Sequence, residues 1–286
     1  MKIAIVGNND GPLYLLKSLR KNGLKAELVG LQKPVSLTLE NKYLELVDKH
    51  NLYIGFEEAG LLEFLAKYNI DLLVNCFCNF KFVKLLEKYE VLNVHLSALP
   101  EYRGRHPLHW ALINGEKTIG ITIHKMTRDF DEGPIYWQKR LEAKSTFSVA
   151  EAREKLLKIL QKELADFVVD YHQKKLNPKQ NSDANSSLIS RRSPKDSRIY
   201  EWNNRDLIYR KIWALSSEDH PAFIKINDRK IEIRHAEKTV ISYGFAEGEI
   251  IQFSENTIEI ACEKNKGILL KFDNQNIIFP PDLKTL

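Results

Sequence analysis

Apolar residues along this chain follow two rhythms, and the change between them divides it. From the N-terminus, short β-branched runs alternate with stretches whose apolar positions recur every three or four residues. KIAIVG (Lys2 to Gly7) predicts a strand, and LYLLKSLRKNG predicts an amphipathic helix closed by Gly23. KAELVGL (Lys25 to Leu31) predicts a second strand. LTLENKYLELVDKH and LLEFLAKY (Leu61 to Tyr68) have helical spacing, and IDLLVNCF (Ile70 to Phe77) reads as a strand of the buried type. KFVKLLEKY is helical, VLNVH starts a further strand, and GITIHKM (Gly120 to Met126) and GPIYWQKRLEA are extended. VAEAREKLLKILQKELADFVVDYHQKK is a long amphipathic helix. Strands and helices alternating in this way predict βαβ units around a mostly parallel sheet, an α/β fold.

The rhythm changes after NPKQNSDANSSLISRRSPKDSR, whose Asn, Ser, Pro and charge mark a linker. One short helix, RDLIYRKIWAL, is followed by AFIKIN, KIEIRHAEK, EGEIIQF, TIEIAC and GILLKF. Turn residues separate these runs at roughly ten-residue intervals, which predicts a small β barrel or sandwich. The organisation expected is a first domain over 1–180, a linker over 181–198 and a β-rich domain over 199–286.

Composition narrows the class. The 286 residues are 43% hydrophobic and 28% charged, as in a soluble globular protein with a sizeable core. No apolar run approaches the roughly 20 residues that a bilayer span needs. The apolar stretch of MKIAIVGNNDG is too short for a secretory leader. Cys76, Cys78 and Cys262 cannot build a disulfide framework, so a reducing, cytoplasmic setting is expected. The C-x-C pair has neither a second pair nor nearby histidines, so no metal site is expected. GNNDGP is not the G-x-G-x-x-G of a dinucleotide site. Net charge is +5, but residues 199–286 hold 12 Lys+Arg against 14 Asp+Glu, leaving +7 on residues 1–198. That distribution suits an anionic small molecule and argues against a nucleic-acid partner.

The candidate chemistry gathers in NVHLSALPEYRGRHPLHWALINGE (Asn93 to Glu116), directly after a strand. Ligands of parallel α/β sheets sit at the carboxyl ends of strands. Asn93, His95 and Ser97 lie at i, i+2 and i+4, on one face if the strand persists. An amide beside an imidazole offers an oxyanion donor next to a proton carrier. The same two residues could instead end a strand and satisfy loop backbone. Asp131, in DFDEGPI, follows His95 by 36 residues, again at the end of an expected strand. A carboxylate near an imidazole raises its pKa and fixes its tautomer.

N-x-H-x-S-x-L-P-x-Y-R-G-R, then N-G-E, G-I-T-I-H-K-M and D-x-G-x-I resemble the folate-dependent formyltransferase family. RRSPKDSRIYEW (Arg191 to Trp202) resembles the segment that opens the family's C-terminal domain. The likeness is strongest from Asn93 to Ile135 and weakest over the first 60 residues and the last strands. It implies a Rossmann-like formyltransferase domain followed by a small β-rich, OB-like C-terminal domain. It also implies transfer of a formyl group from 10-formyltetrahydrofolate to an amine, with Asn93, His95 and Asp131 as the catalytic set. In that mechanism Asn93 and His95 donate to the developing oxyanion, and His95, held by Asp131, moves the protons. By the same resemblance, the pterin slot comprises Phe77, Asn79, Phe80, Lys81 and Phe82 with Thr127, Arg128, Asp129 and Phe130. The chain departs from the family there, reading C-F-C-N-F-K-F where relatives have a Tyr-rich stretch. Phe80 and Phe82 suit a pterin wall and a hydrophobic core equally.

Arg105 is expected at the folate or a phosphate, and Ser97, Tyr102, Arg103 and Trp110 on the acceptor side, with Arg103 equally suited to a structural ion pair. HPLHWALINGE (His106 to Glu116) resembles the branch that formylates amino groups of nucleotide-linked (dTDP or UDP) deoxysugars, as in lipopolysaccharide O-antigen biosynthesis. The alternatives are a methionyl-tRNA formyltransferase, which needs a basic surface for its tRNA, and a 10-formyltetrahydrofolate hydrolase. A non-catalytic folate or nucleotide-sugar sensor is a further class. His124 is expected to be a buried structural histidine. A homodimer is expected, with KIEIRHAEK or GILLKF pairing at a sheet edge, and no membrane partner.

Overall fold

Each βαβ step of the sequence pattern has a counterpart in the computed structural model, which describes residues 1–55, 57–78, 82–182, 186–226, 229–273 and 284–285. β1 (Ile3–Gly7) is buried throughout and leads into α1 (Gly11–Lys21), which has a proline in its first turn and turns its leucines inward. β2 (Ala26–Gln32) and α2 (Leu37–Leu44) follow, the latter capped by the Ser36 side chain, which accepts from Leu39 N. β3 (Leu52–Gly55), α3 (Glu58–Leu65), β4 (Leu72–Cys76), α4 (Lys84–Lys88) and β5 (Val91–His95) complete the first run. After a two-residue strand, β6 (Arg103–Gly104), come α5 (Pro107–Asn114), β7 (Thr118–Lys125), β8 (Ile135–Glu142) and the long helix α6 (Val149–His172).

One seven-stranded sheet results, in the order β3-β2-β1-β4-β5-β7-β8. β3, β2, β1, β4 and β5 run parallel, and β7 is antiparallel to β5. The sheet is therefore mostly parallel, as expected, and its central strands β1, β4 and β5 are buried at every position.

Two compact units divide the chain. The first comprises Met1–Gly104, Gly120–Leu141 and Glu154–Leu188, and the second Arg105–Ile119, Glu142–Arg153 and Ile189–Leu286. After β9 (Leu188–Ile189), the second contains α7 (Arg205–Leu215), β10 (Ala222–Ile226), β11 (Arg229–Ile233), β12 (His235–Val240), β13 (Ile250–Phe253), β14 (Thr257–Ala261) and β15 (Lys266–Lys271). β10 and β11 form an antiparallel hairpin, and the other four form an antiparallel sheet in the order β12-β15-β14-β13. Ile208 and Ile212 of α7 pack with Ile224, Ile231, Ile260 and Leu270 in its core.

Two expectations are corrected. KIEIRHAEK is not one strand: Ile231 and Ile233 are buried in β11, but the next buried position is Ala236, so the alternation slips a residue at Arg234. The chain passes there from one sheet to the other. GILLKF is not at an edge, because β15 lies between β12 and β14 and its backbone is paired on both sides.

Candidate active site

Three polar side chains form a row across the first unit's sheet. Parallel register sets Asn75 of β4 beside Asn93 of β5, and antiparallel register sets Asn93 opposite His124 of β7. All three are buried, so each must find partners among the others or nearby backbone. Asn75 Nδ2 donates to Asn93 Oδ1 at 2.7 Å, while Asn75 Oδ1 accepts from Cys78 N at 3.2 Å. His124 Nδ1 lies 2.9 Å from the Lys125 carbonyl. A carbonyl oxygen only accepts, so that nitrogen carries the proton and Nε2 of the neutral ring is bare. Asn93 Nδ2 donates to this Nε2 at 3.0 Å and, with its other hydrogen, to Asp131 Oδ1 at 3.3 Å.

His95 follows Asn93 by two residues and shares its face of the strand. Its Nε2 donates to the Tyr102 carbonyl at 2.9 Å, and its Nδ1 lies 3.5 Å from Asp131 Oδ2. Asp131 Oδ2 also accepts from Gly104 N at 2.9 Å, and Asp131 Oδ1 is 3.3 Å from His124 Nε2. Tyr102 and Asp131 both have left-handed backbones, at φ 56°. Asn93, His95 and Asp131 therefore meet in the fold.

Burial pushes the His95 imidazole toward the neutral form, opposed by the Asp131 carboxylate. Burial would also raise Asp131, but His95 and the Gly104 amide oppose it, and that carboxyl is held down at about 2. At neutral pH the resting pair is a charged carboxylate beside a neutral ring. A proton arriving at Nδ1 lands next to that carboxylate, an arrangement suited to taking up and returning protons.

His124 and Asn75 belong to this cluster, although sequence reasoning gave His124 no chemistry and passed over Asn75. The available signal was a polar residue inside each of two apolar strand runs, IDLLVNCF and GITIHKM, which has to be satisfied on burial.

The other expected site residues divide. β5 ends at His95, so Ser97 is beyond the strand; it is buried and its hydroxyl donates to the Glu101 carbonyl at 2.7 Å. Tyr102 is buried, and Arg103, 4% exposed, directs its guanidinium to Asn181 (2.9 and 3.0 Å) and Glu132 (3.8 Å). These three side chains are turned inward rather than toward an acceptor. Phe82 is 4% exposed within the cluster of Ala4, Val6, Leu61 and Leu65, so its ring is core. Phe77 is half-buried at φ 70°, and its ring lies against Gly11, where a Cβ would come within 2.6 Å of it. Asn79, Phe80 and Lys81 lie outside the described residues. Thr127, Arg128, Asp129 and Phe130 are exposed, and Phe130 offers a ring 59% open beside Asp131. In the second unit Arg105 is exposed, and half-buried Trp110 donates from Nε1 to the Ser190 carbonyl at 3.0 Å.

The family model described as formyl transferase matches residues 1–168. The chain belongs to the formyl transferase family. The bifunctional polymyxin resistance protein ArnA of Wigglesworthia glossinidia brevipalpis is 34% identical over 71% of this chain, which spans 31% of that relative's length. The methionyl-tRNA formyltransferase of Finegoldia magna is 26% identical over 96% of this chain and 92% of its own. Among solved structures, an N-formyltransferase from Helicobacter canadensis, complexed with folinic acid and dTDP-3-aminofucose, superposes with a TM-score of 0.74. That likeness covers 96% of this family member and 100% of the neighbour at 18% identity, and shows a shared fold.

Proposed function

We propose that this formyl transferase family member moves a formyl group from 10-formyltetrahydrofolate to the amino group of a nucleotide-linked (dTDP or UDP) amino deoxysugar. The observation that carries the chemistry is the cluster of buried Asn93 and His95 with half-buried Asp131, completed by His124. The bound folate would supply the formyl carbon. Asn93 holds its two amide hydrogens on His124 and Asp131; the longer bond, to Asp131 at 3.3 Å, is the one that yields when a developing oxyanion competes for it. His95 takes the proton that the acceptor amine loses as its nitrogen bonds to the formyl carbon, and Asp131 stabilises the imidazolium formed. The proton then passes to the folate nitrogen as its bond to that carbon breaks.

The donor set suits a folate: a preorganised amide for the formyl oxygen, a proton carrier beside it, and an open aromatic ring at Phe130. Phe77 and the segment Thr127 to Phe130 are the proposed folate contacts, with Arg105 at a folate carboxylate or a phosphate. Trp110 is the proposed acceptor contact. Residues 1–180 are proposed as the catalytic domain and 199–286 as the C-terminal domain. The protein is further proposed to work in the cytoplasm as a homodimer; no helix among the described residues is long and apolar enough to cross a membrane.

For the sugar acceptor, support comes from the His106 to Glu116 segment and from the −2 balance of residues 199–286, together with a neighbour of the same fold crystallised with a dTDP-amino sugar. The second reading, methionyl-tRNA formylation, is favoured by the relative that matches nearly the whole chain. Tetrahydrofolate release from 10-formyltetrahydrofolate separates them, with dTDP- and UDP-linked 3- and 4-amino deoxysugars, charged initiator tRNA, or no acceptor. The proposal expects turnover with one amino sugar. Turnover only with the tRNA would establish the second reading, and equal turnover without acceptor would show a hydrolase.

A further inference from the structure

Asp131 holds its carboxylate against His95 and Asn93 from a left-handed backbone, a conformation that persists where surroundings enforce it. The enforcing group comes from 50 residues further along the chain. Asn181, 8% exposed, donates from Nδ2 to the Asp131 carbonyl at 2.6 Å and to the Gly133 carbonyl at 3.1 Å. Its amide thus bridges the turn that carries the carboxylate. Asn181 is itself held: Arg103 Nη2 donates to its backbone oxygen at 2.9 Å and to its Oδ1 at 3.0 Å. Arg103 precedes Gly104, whose N–H holds Asp131 Oδ2. The contacts therefore form a closed ring through Asp131, Gly104, Arg103 and Asn181.

The same stretch of chain reaches Tyr102, the hydrogen-bond partner of His95. Ser187 Oγ accepts from Tyr102 N at 2.7 Å, and the Ser187 carbonyl accepts from Arg103 N at 2.8 Å. The carbonyl of that Tyr102 receives the His95 Nε2 proton. We infer that Asn181 is a positioning residue for the Asp131 carboxylate, and that Ser187 does the same for the Tyr102 carbonyl on His95. The inference rests on the reading of Asn93, His95 and Asp131 as the catalytic set. The brace lies in a stretch read from sequence as linker; Asn181 touches Asp131 itself, and Ser187 touches Tyr102, the residue that holds His95.

The test uses Asn181→Ala, Ser187→Ala and Asp131→Asn in the full chain, alone and combined. It reads kcat and KM against pH with the acceptor found above, and the His95 ring by NMR titration. The ionisable groups around His95 are Asp131 from the turn after β7 and His124 from β7 itself. Asn181→Ala should lower kcat on the order of 10²-fold, the scale of a misplacement of about 1 Å, with KM nearly unchanged. With the carboxylate displaced, the His95 titration should move to lower pH. Ser187→Ala removes one half-buried hydroxyl and should give a smaller loss in kcat. In the Asp131→Asn background, Asn181→Ala should add almost nothing to the loss.

A folded Asn181→Ala protein with wild-type kcat and His95 titration would overturn the inference, as would additive losses in the double variant. If Asn181→Ala fails to fold, Ser187→Ala decides in the same way. If Asp131→Asn alone keeps full activity, the catalytic reading falls instead, and the NMR titration still reports whether Asn181 positions the carboxylate.

Discussion

Asp131 stays ionised inside the protein because its partners outweigh the cost of its burial. Desolvation disfavours the charged form, while His95 and the Gly104 N–H favour it, and the carboxyl lies at about 2 instead of its usual 3.8. The folded chain therefore binds fewer protons at this site than the unfolded chain between those two values. The resulting stability, on the order of 2 kcal/mol, is present above about pH 4 and is lost as pH falls through 2. Carbon-13 NMR of the Asp131 carboxyl in the folded protein should show a midpoint near 2. A midpoint near the ordinary value would mean that the carboxylate is not held by these neighbours. This residue, with Asn93 and His95, was legible in the sequence because the three recur at a spacing that a known family shares. His124 was not. Its part depends on lying opposite Asn93 across two antiparallel strands, and register is a property of the paired strands that neither run displays alone.

The turn between β7 and β8 has to return tightly, and Gly133 is where it does so. A Cβ at that position would strike the Lys125 carbonyl oxygen, a backbone atom that cannot swing aside. Lys125 N also donates to the Pro134 carbonyl at 2.9 Å across the same turn. Gly133→Ala should therefore cost roughly 1–3 kcal/mol, the range for forced overpacking. It should also lower kcat, since Asp131 lies two residues away. Denaturant midpoints and steady-state rates on the same preparation check both effects; an unchanged midpoint would show that the turn relaxes freely. Elements whose pattern was strong were readable from sequence, among them β1, β4, β5 and α7, where apolar runs have clear ends. β3 (Leu52–Gly55) was missed because four residues carry too little periodicity, and it forms by pairing with β2. The division of KIEIRHAEK was missed because a one-residue slip in alternation looks minor in sequence, yet it reverses which side chains face the core. The brace from Asn181 was hidden for another reason: Asn and Ser in a polar stretch have the composition of a linker, whether or not the chain folds back on the catalytic turn.

At the scale of the whole molecule, charge separates the two acceptors, because they differ most in the number of phosphates to be neutralised. Residues 199–286 have a balance of −2, and the excess of +7 lies on residues 1–198. A tRNA held by six or more phosphate contacts would lose on the order of 10³-fold in affinity between 50 and 200 mM salt. A nucleotide-linked sugar brings only its diphosphate, and by the same relation its affinity should weaken by no more than about tenfold. KM for the acceptor, followed across that salt range at constant folate, should therefore change little, and bulk uncharged tRNA should not inhibit at low salt. A KM that climbs by several orders of magnitude would mean that the acceptor is held through many phosphates, as a polyanion is. That result would return the full-length methionyl-tRNA formyltransferase relative as the better guide to the substrate, because salt dependence counts phosphate contacts directly, whichever fold neighbours the chain has.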